Sequence, residues 1–219
     1  MLNEIRKLNP NLKIYDVSDK EFSEYGRILD MDSAQIIEEA EKIAYPKEGS
    51  MYLPSVEEFE KLPIAKEITD KVFGTLDTQV GYCFGYSDTL NATEWHYSSE
   101  LNIAVRPLIL ILGKRENIVD GKMNSLDMKA FYLPKGTVVE VYATSTHFCP
   151  CQTEEGGFGC VVALPSGTNI PLEEQSDDPL LFRKNKWIIC HYDNTALINR
   201  GVVPGIYGEN TKINFRREV

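Results

Sequence analysis

Glu94, His96 and Glu100 lie in the run Glu94-Trp95-His96-Tyr97-Ser98-Ser99-Glu100, and the 219-residue chain has only three histidines. The run has the texture of a β-strand, and side chains two apart in a strand share a face. Glu94, His96, Ser98 and Glu100 are therefore expected to point the same way. Two acids and a histidine turned to one interior suit a hard or borderline divalent metal. The same residues would also suit a solvated face, and spacing alone leaves both readings open.

A second informative stretch is Leu133-Pro134-Lys135-Gly136-Thr137-Val138-Val139-Glu140, followed by His147-Phe148-Cys149-Pro150-Cys151. Pro-x-Gly makes a tight turn that launches a strand. If that strand is regular, Val138, Glu140 and Tyr142 share a face opposite Val139. An acid in so apolar a strand is expected to face inward, as a metal ligand or as a general base. For His147 to face inward as well, residues 143–146 must form a turn or bulge. A rival set is His147, Cys149 and Cys151, whose alternation would offer an imidazole and two thiolates to zinc. Pro150 between the cysteines, and the lack of a second finger-type pair, weigh against it. Lys186 and Arg106 are candidate clamps for a carboxylate or phosphate. His191, at a strand end, and Tyr82, lining the barrel, complete the candidate substrate contacts. All four could equally be surface or packing residues.

The elements that must position these groups fall into two parts. Residues 1–74 read as a helical and loop extension packed on the rest of the chain. Helices are expected between residues 16 and 29, from Ser33 through Ala44, after a Ser55–Glu58 capping box, and from Pro63 to a stop at Gly74. From residue 75 to 219 the texture is β. Strands are expected at residues 79–84, 101–105, 108–112, 130–133, 137–142, 159–164 and 186–192, separated by Gly and Pro turns. Short strands at such spacing mean a sandwich or a barrel.

The formal net charge of −10 offers no basic patch for a polyanion, so nucleic acid is not an expected partner. The first residues lack an apolar core of signal-peptide length, and no apolar stretch is long enough to span a bilayer. Five cysteines, an odd number, fit reduced thiols. The expected setting is the cytoplasm, away from membranes.

His-x-His, three or four residues and a glutamate, then Pro-x-Gly and a further histidine some tens of residues on, form the two-part signature of the cupin superfamily. The chain resembles it over about residues 75–195. Glu94 stands for the first histidine, while His96, Glu100 and Pro134-x-Gly136 match. Val139 stands where the second motif commonly has histidine, Pro107 where a glycine is usual, and His147 arrives late. More narrowly, Leu90-Asn91, Glu94 through Glu100, Gly136 through Glu140, His147 through Cys151 and Asn185-Lys186-Trp187 are similar to a bacterial cupin-like family with no assigned reaction.

The resemblance implies a mainly β, double-stranded β-helix barrel with an N-terminal helical extension. It also implies one divalent metal ion (Mn, Fe or Zn) held among His96, Glu100, His147 and Glu140. The expected partner is a small polyhydroxy carbonyl compound, a sugar or sugar acid, with isomerase, epimerase or lyase chemistry. Glu140 or Glu94 would move a proton next to the carbonyl. An iron-dependent oxygenase using His96, His147 and one glutamate, and a non-catalytic sugar sensor, are the alternatives. Exposed barrel edges make a homodimer an expectation too.

Overall fold

The computed structural model describes residues 1–217. Its strands are β1 (Ile14–Asp16), β2 (Gly26–Ile28), β3 (Ser50–Leu53), β4 (Thr78–Gly85), β5 (Ala92–Trp95), β6 (Glu100–Ala104), β7 (Leu108–Lys114) and β8 (Met123–Asn124). They continue with β9 (Lys129–Leu133), β10 (Val138–Val141), β11 (Ser145–Thr146), β12 (Cys151–Gln152), β13 (Phe158–Pro165), β14 (Leu181–Arg183), β15 (Lys186–His191) and β16 (Val203–Tyr207). The helices are α1 (Leu2–Leu8), α2 (Ala34–Ala40), α3 (Glu57–Glu60), α4 (Pro63–Lys71) and α5 (Thr195–Asn199). Each strand expected between residues 101 and 192 is present, as is that at 79–84.

The largest sheet runs β2-β10-β6-β13-β4-β3. Facing it are β1-β9-β7, with β11 and β12 on β7, and a third sheet of β14-β15-β16-β8, with β5 on β15. Ala104, Val139, Val141, Val162 and Leu164 of the large sheet meet Leu108, Leu110, Leu112, Phe131 and Leu133 across the interior. On its outer face Leu101, Ile103, Val138, Val161 and Ala163 pack under Ile36, Ile37, Phe59, Ile64 and Ile68 of α2–α4. Burial on both faces explains why β13 reads as a nearly continuous apolar run, while β6 interrupts its own with Glu100 and Asn102. The result is a mainly β barrel of curled sheets with helices covering one wall.

The N-terminal part is more strand-like than its sequence suggests. β1 pairs parallel with β9, β2 antiparallel with β10, and β3 antiparallel with β4. Residues 1–74 are thus woven into both main sheets as well as packed on them. Between residues 16 and 29 only a 3-10 turn forms, Lys20–Glu24, set between β1 and β2. Ser55 does not make the expected capping box; its hydroxyl donates to Glu60 Oε1 at 2.7 Å, which also accepts from Val80 N at 3.1 Å. That couples α3 to β4 instead of closing the helix on itself. α4 does start at Pro63, and Gly74 takes φ 58° just beyond its end. Among the described residues no helix is long and apolar enough to cross a membrane.

Candidate metal centre

The first motif is not one strand. β5 ends at Trp95 and β6 begins at Glu100, with a bend at residues 96–99 between them. Glu94, His96 and Glu100 nevertheless converge, because the bend folds the two strand ends over one interior. The second half arrives from β11. Glu94 N donates to His147 O at 2.6 Å and His147 N to Glu94 O at 2.9 Å, so the two residues form an antiparallel bridge with side chains on one face. Next to them Thr93 Oγ1 donates to Thr146 Oγ1 at 2.8 Å on the opposite face, fixing that register.

All four side chains are buried. Glu94, His96 and His147 offer donor atoms within 4.8 Å of one another. Glu100 Oε2 lies 3.0 Å from His147 Nε2 and 3.4 Å from His96 Nε2, while Glu94 Oε1 is 3.8 Å from His96 Nε2. Two ligands held about 2.1 Å from one ion lie about 3.0 Å apart at a right angle and about 3.4 Å at the tetrahedral angle. Glu100 Oε2 therefore already stands at coordination-sphere separations from both imidazoles.

The hydrogen bonds point the same way. His96 Nδ1 lies 2.6 Å from the Asn185 carbonyl oxygen, which can only accept, so Nδ1 carries the hydrogen. Nε2 is left facing the carboxylates, buried and without a hydrogen-bond partner. A backbone carbonyl on one ring nitrogen, with the other aimed at acids, is how ligand histidines are oriented. His147 Nδ1 is also buried without a partner. The set fits a divalent cation.

Electrostatics reinforces the fit. Burial alone would raise the Glu100 carboxyl, but the charge and hydrogen bond of His147, then the nearby His96 ring, hold it well below the ordinary carboxylate range. Burial alone would lower His147, but the Glu100 charge and hydrogen bond, with Glu94 behind them, raise it. Glu100 Oε1 is held by Asn102 Nδ2 at 2.8 Å. Lys186 Nζ ion-pairs with Glu94 Oε2 within the same interior. Two buried carboxylates are answered by Lys186 and, while it is protonated, by His147; a cation would take the place of the His147 proton.

Glu94, Glu100 and His147 open on a cavity of about 360 Å³, lined also by Tyr52, Asn169, Lys186 and Arg200. Of the other expected substrate contacts, three lie elsewhere. Arg106 Nη1 donates to the Gly156 carbonyl, and its guanidinium sits 4.5 Å over the Tyr45 ring. Tyr82 stacks on Phe84 at 4.5 Å and faces α3, on the outer wall of the large sheet. His191 has both ring nitrogens engaged, Nε2 donating to Gly208 O at 3.2 Å and Nδ1 accepting from Asp193 N at 3.1 Å. The rival zinc set does not assemble either. Cys151 opens β12 opposite Ile109 and packs in the apolar cluster of Ile109 and Trp187, whereas Cys149 lines the cavity.

Glu140 is the main correction. β10 is regular, but its phase is the reverse of that expected, with Val139 and Val141 facing the interior and Val138 the helices. Glu140 pairs across the sheet with Leu101 and Arg27, and Arg27 Nε donates to its Oε2 at 2.7 Å. The Glu140→Gln variant is therefore expected to retain full metal content by elemental analysis. Because Arg27 is half exposed, it should lose at most about 1 kcal/mol in denaturant unfolding.

Asn185 is a positioning residue outside the set expected from sequence. It takes φ 55° between β14 and β15, a conformation asparagine tolerates. There its carbonyl accepts from His96, its Oδ1 accepts from Tyr97 N at 2.8 Å, and its Nδ2 donates to Thr168 Oγ1 at 3.1 Å. Asn in the Arg183-Lys184-Asn185-Lys186 turn is the signal that could have found it. Arg200, after α5, carries no such signal.

The sequence matches the family described as "Domain of unknown function (DUF4867)" over residues 14–211. The chain belongs to this family. The match runs through both the helical part and the barrel. A search of curated proteins finds no match. Among solved structures, an 11S globulin from Wrightia tinctoria aligns at 12% identity and TM-score 0.34, over 54% of this chain and 26% of that one. A salicylate 1,2-dioxygenase from Pseudoaminobacter salicylatoxidans aligns at 12% and 0.32, over 61% and 30%. Bacillus subtilis oxalate decarboxylase aligns at 10% and 0.31, over 44% and 24%. The chain spans less than a third of the length of each of these three proteins, and likenesses so distant carry no argument about its chemistry.

Proposed function

We propose that this protein is a metal-dependent enzyme of the isomerase, epimerase or lyase kind, acting on a small polyhydroxy carbonyl compound that carries a carboxylate. The observation that carries this reading is the buried Glu94–Lys186 pair set against the histidine and carboxylate cluster at the cavity wall. His96, Glu100 and His147 would hold the ion, and two imidazoles with carboxylate oxygen suit Mn, Fe or Zn. The bound ion supplies Lewis acidity at a carbonyl oxygen.

Glu94 is the carboxylate left for proton transfer. It stands farther from His96 than Glu100 does, and it is already engaged by Lys186. In this role it takes the proton from the carbon next to the carbonyl and returns it at the neighbouring position. Lys186 compensates the Glu94 charge and faces the same cavity. Arg200, at the cavity wall, meets the substrate carboxylate. A local cation is required because a protein of net charge −10 repels anions at long range. Tyr52 and Asn169 present polar atoms to the substrate hydroxyls.

The test combines elemental analysis with proton NMR in D2O on a panel of ketoses and sugar acids. Deuterium incorporation next to the carbonyl, lost in Glu94→Gln with metal retained, is the expected result. Oxygen uptake without deuterium exchange would replace this reading by an oxygenase. Ligand-induced stabilisation that persists in His96→Ala without turnover would replace it by a binding protein.

A further inference from the structure

Cys83 and Cys149 are unexplained by the metal centre, yet they line the same cavity. Cys83 lies in β4 of the large sheet, and Cys149 lies two residues beyond His147 on the loop that leaves β11. All five cysteines are free, and these two alone are half-buried, while Cys151, Cys160 and Cys190 are buried. Cys149 Sγ donates to Ser50 Oγ at 3.4 Å. Ser50 lies on β3, two residues before Tyr52, the cross-strand partner of Cys83, so both thiols sit against the same stretch of the β3–β4 pair, close enough to interact with each other. Among the described residues neither cysteine belongs to a cluster of metal-ligating donors, the grouping that could hold an ion being Glu94, His96 and His147, with Glu100 against both imidazoles. The thiols therefore form a pair rather than a thiolate metal site.

We propose that Cys83 and Cys149 are a redox-sensitive dithiol that closes to a disulfide across the metal pocket when a hydroperoxide enters it. Cys149 Sγ attacks one peroxide oxygen, an S–O bond forms as the O–O bond breaks, and the leaving oxygen departs as alcohol or water with the thiol proton. Cys83 Sγ then attacks the Cys149 sulfur. The S–S bond forms, the S–OH bond breaks, and water leaves with the Cys83 proton. Two thiols are oxidised by two electrons and one peroxide is reduced.

A disulfide holds its sulfurs about 2.05 Å apart, well inside hydrogen-bonding distance. Closing it draws the Cys149 loop toward β4. His147 is carried on that loop, so its alignment with Glu100 and His96 changes. Metal affinity is then expected to fall about 10-fold or more, the scale of losing an orienting contact. The dithiol chemistry is independent of the reaction proposed above; only this last consequence rests on the metal site.

The test begins with the whole protein and hydrogen peroxide. Thiols are counted after denaturation, peptides are mapped by mass, and Mn2+ affinity is measured before and after oxidation. The expected result is loss of two of the five thiols, a Cys83–Cys149 peptide, reversal by dithiothreitol and a weaker Mn2+ site. Cys83→Ser and Cys149→Ser should each abolish the disulfide, and Cys83→Ser should keep its Mn2+ affinity after peroxide. Cys160 is the direct cross-strand neighbour of Cys83, so Cys160→Ser must leave the disulfide intact. Retention of five thiols, a Cys83–Cys160 linkage, or oxidation that stops on Cys149 alone would overturn the proposal. So would a disulfide that leaves Mn2+ affinity unchanged.

Discussion

His147→Ala is expected to leave the protein without metal. The imidazole would be one of the ligands converging on the position next to Glu100 Oε2, and its removal would open the sphere on the side supplied by the second motif. Loss of a merely supporting contact costs about 10–100-fold in affinity, so loss of a ligand should exceed that. Elemental analysis after gel filtration should find the variant empty under conditions where Glu140→Gln is full. Retention of stoichiometric metal would remove His147 from the ligand set. The metal-free variant should also be less stable, because Glu100 stays buried with its main partner gone; breaking a buried pair costs about 3–5 kcal/mol.

The pH dependence follows from the same pair, and the signs differ between the two groups. Glu100 is lowered from 4.5, so its contribution to the metal-free fold is present above pH 4.5 and fades as pH falls through the folded value. His147 is raised from 6.5, so its contribution is full below pH 6.5 and fades as pH rises through the folded value. The metal-free protein should therefore draw most from the pair between about pH 4.5 and 6.5. Metal has the opposite preference, since a ligand imidazole must give up its proton. The Tm gain on adding saturating Mn2+ should grow as pH rises past the His147 value. Scanning calorimetry from pH 4 to 9, with and without Mn2+, measures both trends. In His147→Ala both should disappear.

Much of the barrel and half of the site are legible in the chain because single side chains carry them. His96 and Glu100 stand with Glu94 at strand spacing in one short run, and such groups are retained in an interior only with a partner. The strands β4, β6, β7, β9, β13 and β15 announce themselves as apolar runs bounded by Gly and Pro turns. Alternation is correct at one place for the wrong reason and misleading at another. Residues 94–100 converge through a bend, a tertiary event that period-2 counting does not see. In β10 the strand is regular, but periodicity fixes only which residues share a face, not which face is inward. There Val139 and Val141 take the interior opposite Phe131 and Leu133, and Glu140 is left to Arg27 on β2. That pairing is hidden in the sequence, because β2 is three residues long and its surroundings read as helix. Asn185 is hidden for a related reason. It reaches His96 through its carbonyl oxygen, which every residue has, and only its positive φ and the side-chain bonds to Tyr97 and Thr168 distinguish it.

Lys186→Met is the second variant with a large expected effect, and it separates the roles that the metal variants merge. The substitution keeps the length and apolar stem of the side chain and removes the ammonium from Glu94 Oε2. None of His96, Glu100 or His147 is touched, so metal content should stay stoichiometric. Turnover should fall about 100- to 10,000-fold, the usual weight of a positioned acid–base group, with most of the loss in kcat. A change confined to KM would make Lys186 a binding clamp only. Loss of the metal would make Glu94 and Lys186 part of the ion's support rather than of the chemistry. The double variant with Glu94→Gln sharpens the distinction. If the two act as one unit, it should be no slower than the worse single variant, since the second substitution removes nothing further. Its stability should at the same time exceed that of Lys186→Met, because a buried pair replaced on both sides leaves no uncompensated charge. Additive losses in turnover would show that Glu94 and Lys186 act on different steps, and the proton-transfer role would then rest on Glu94 alone.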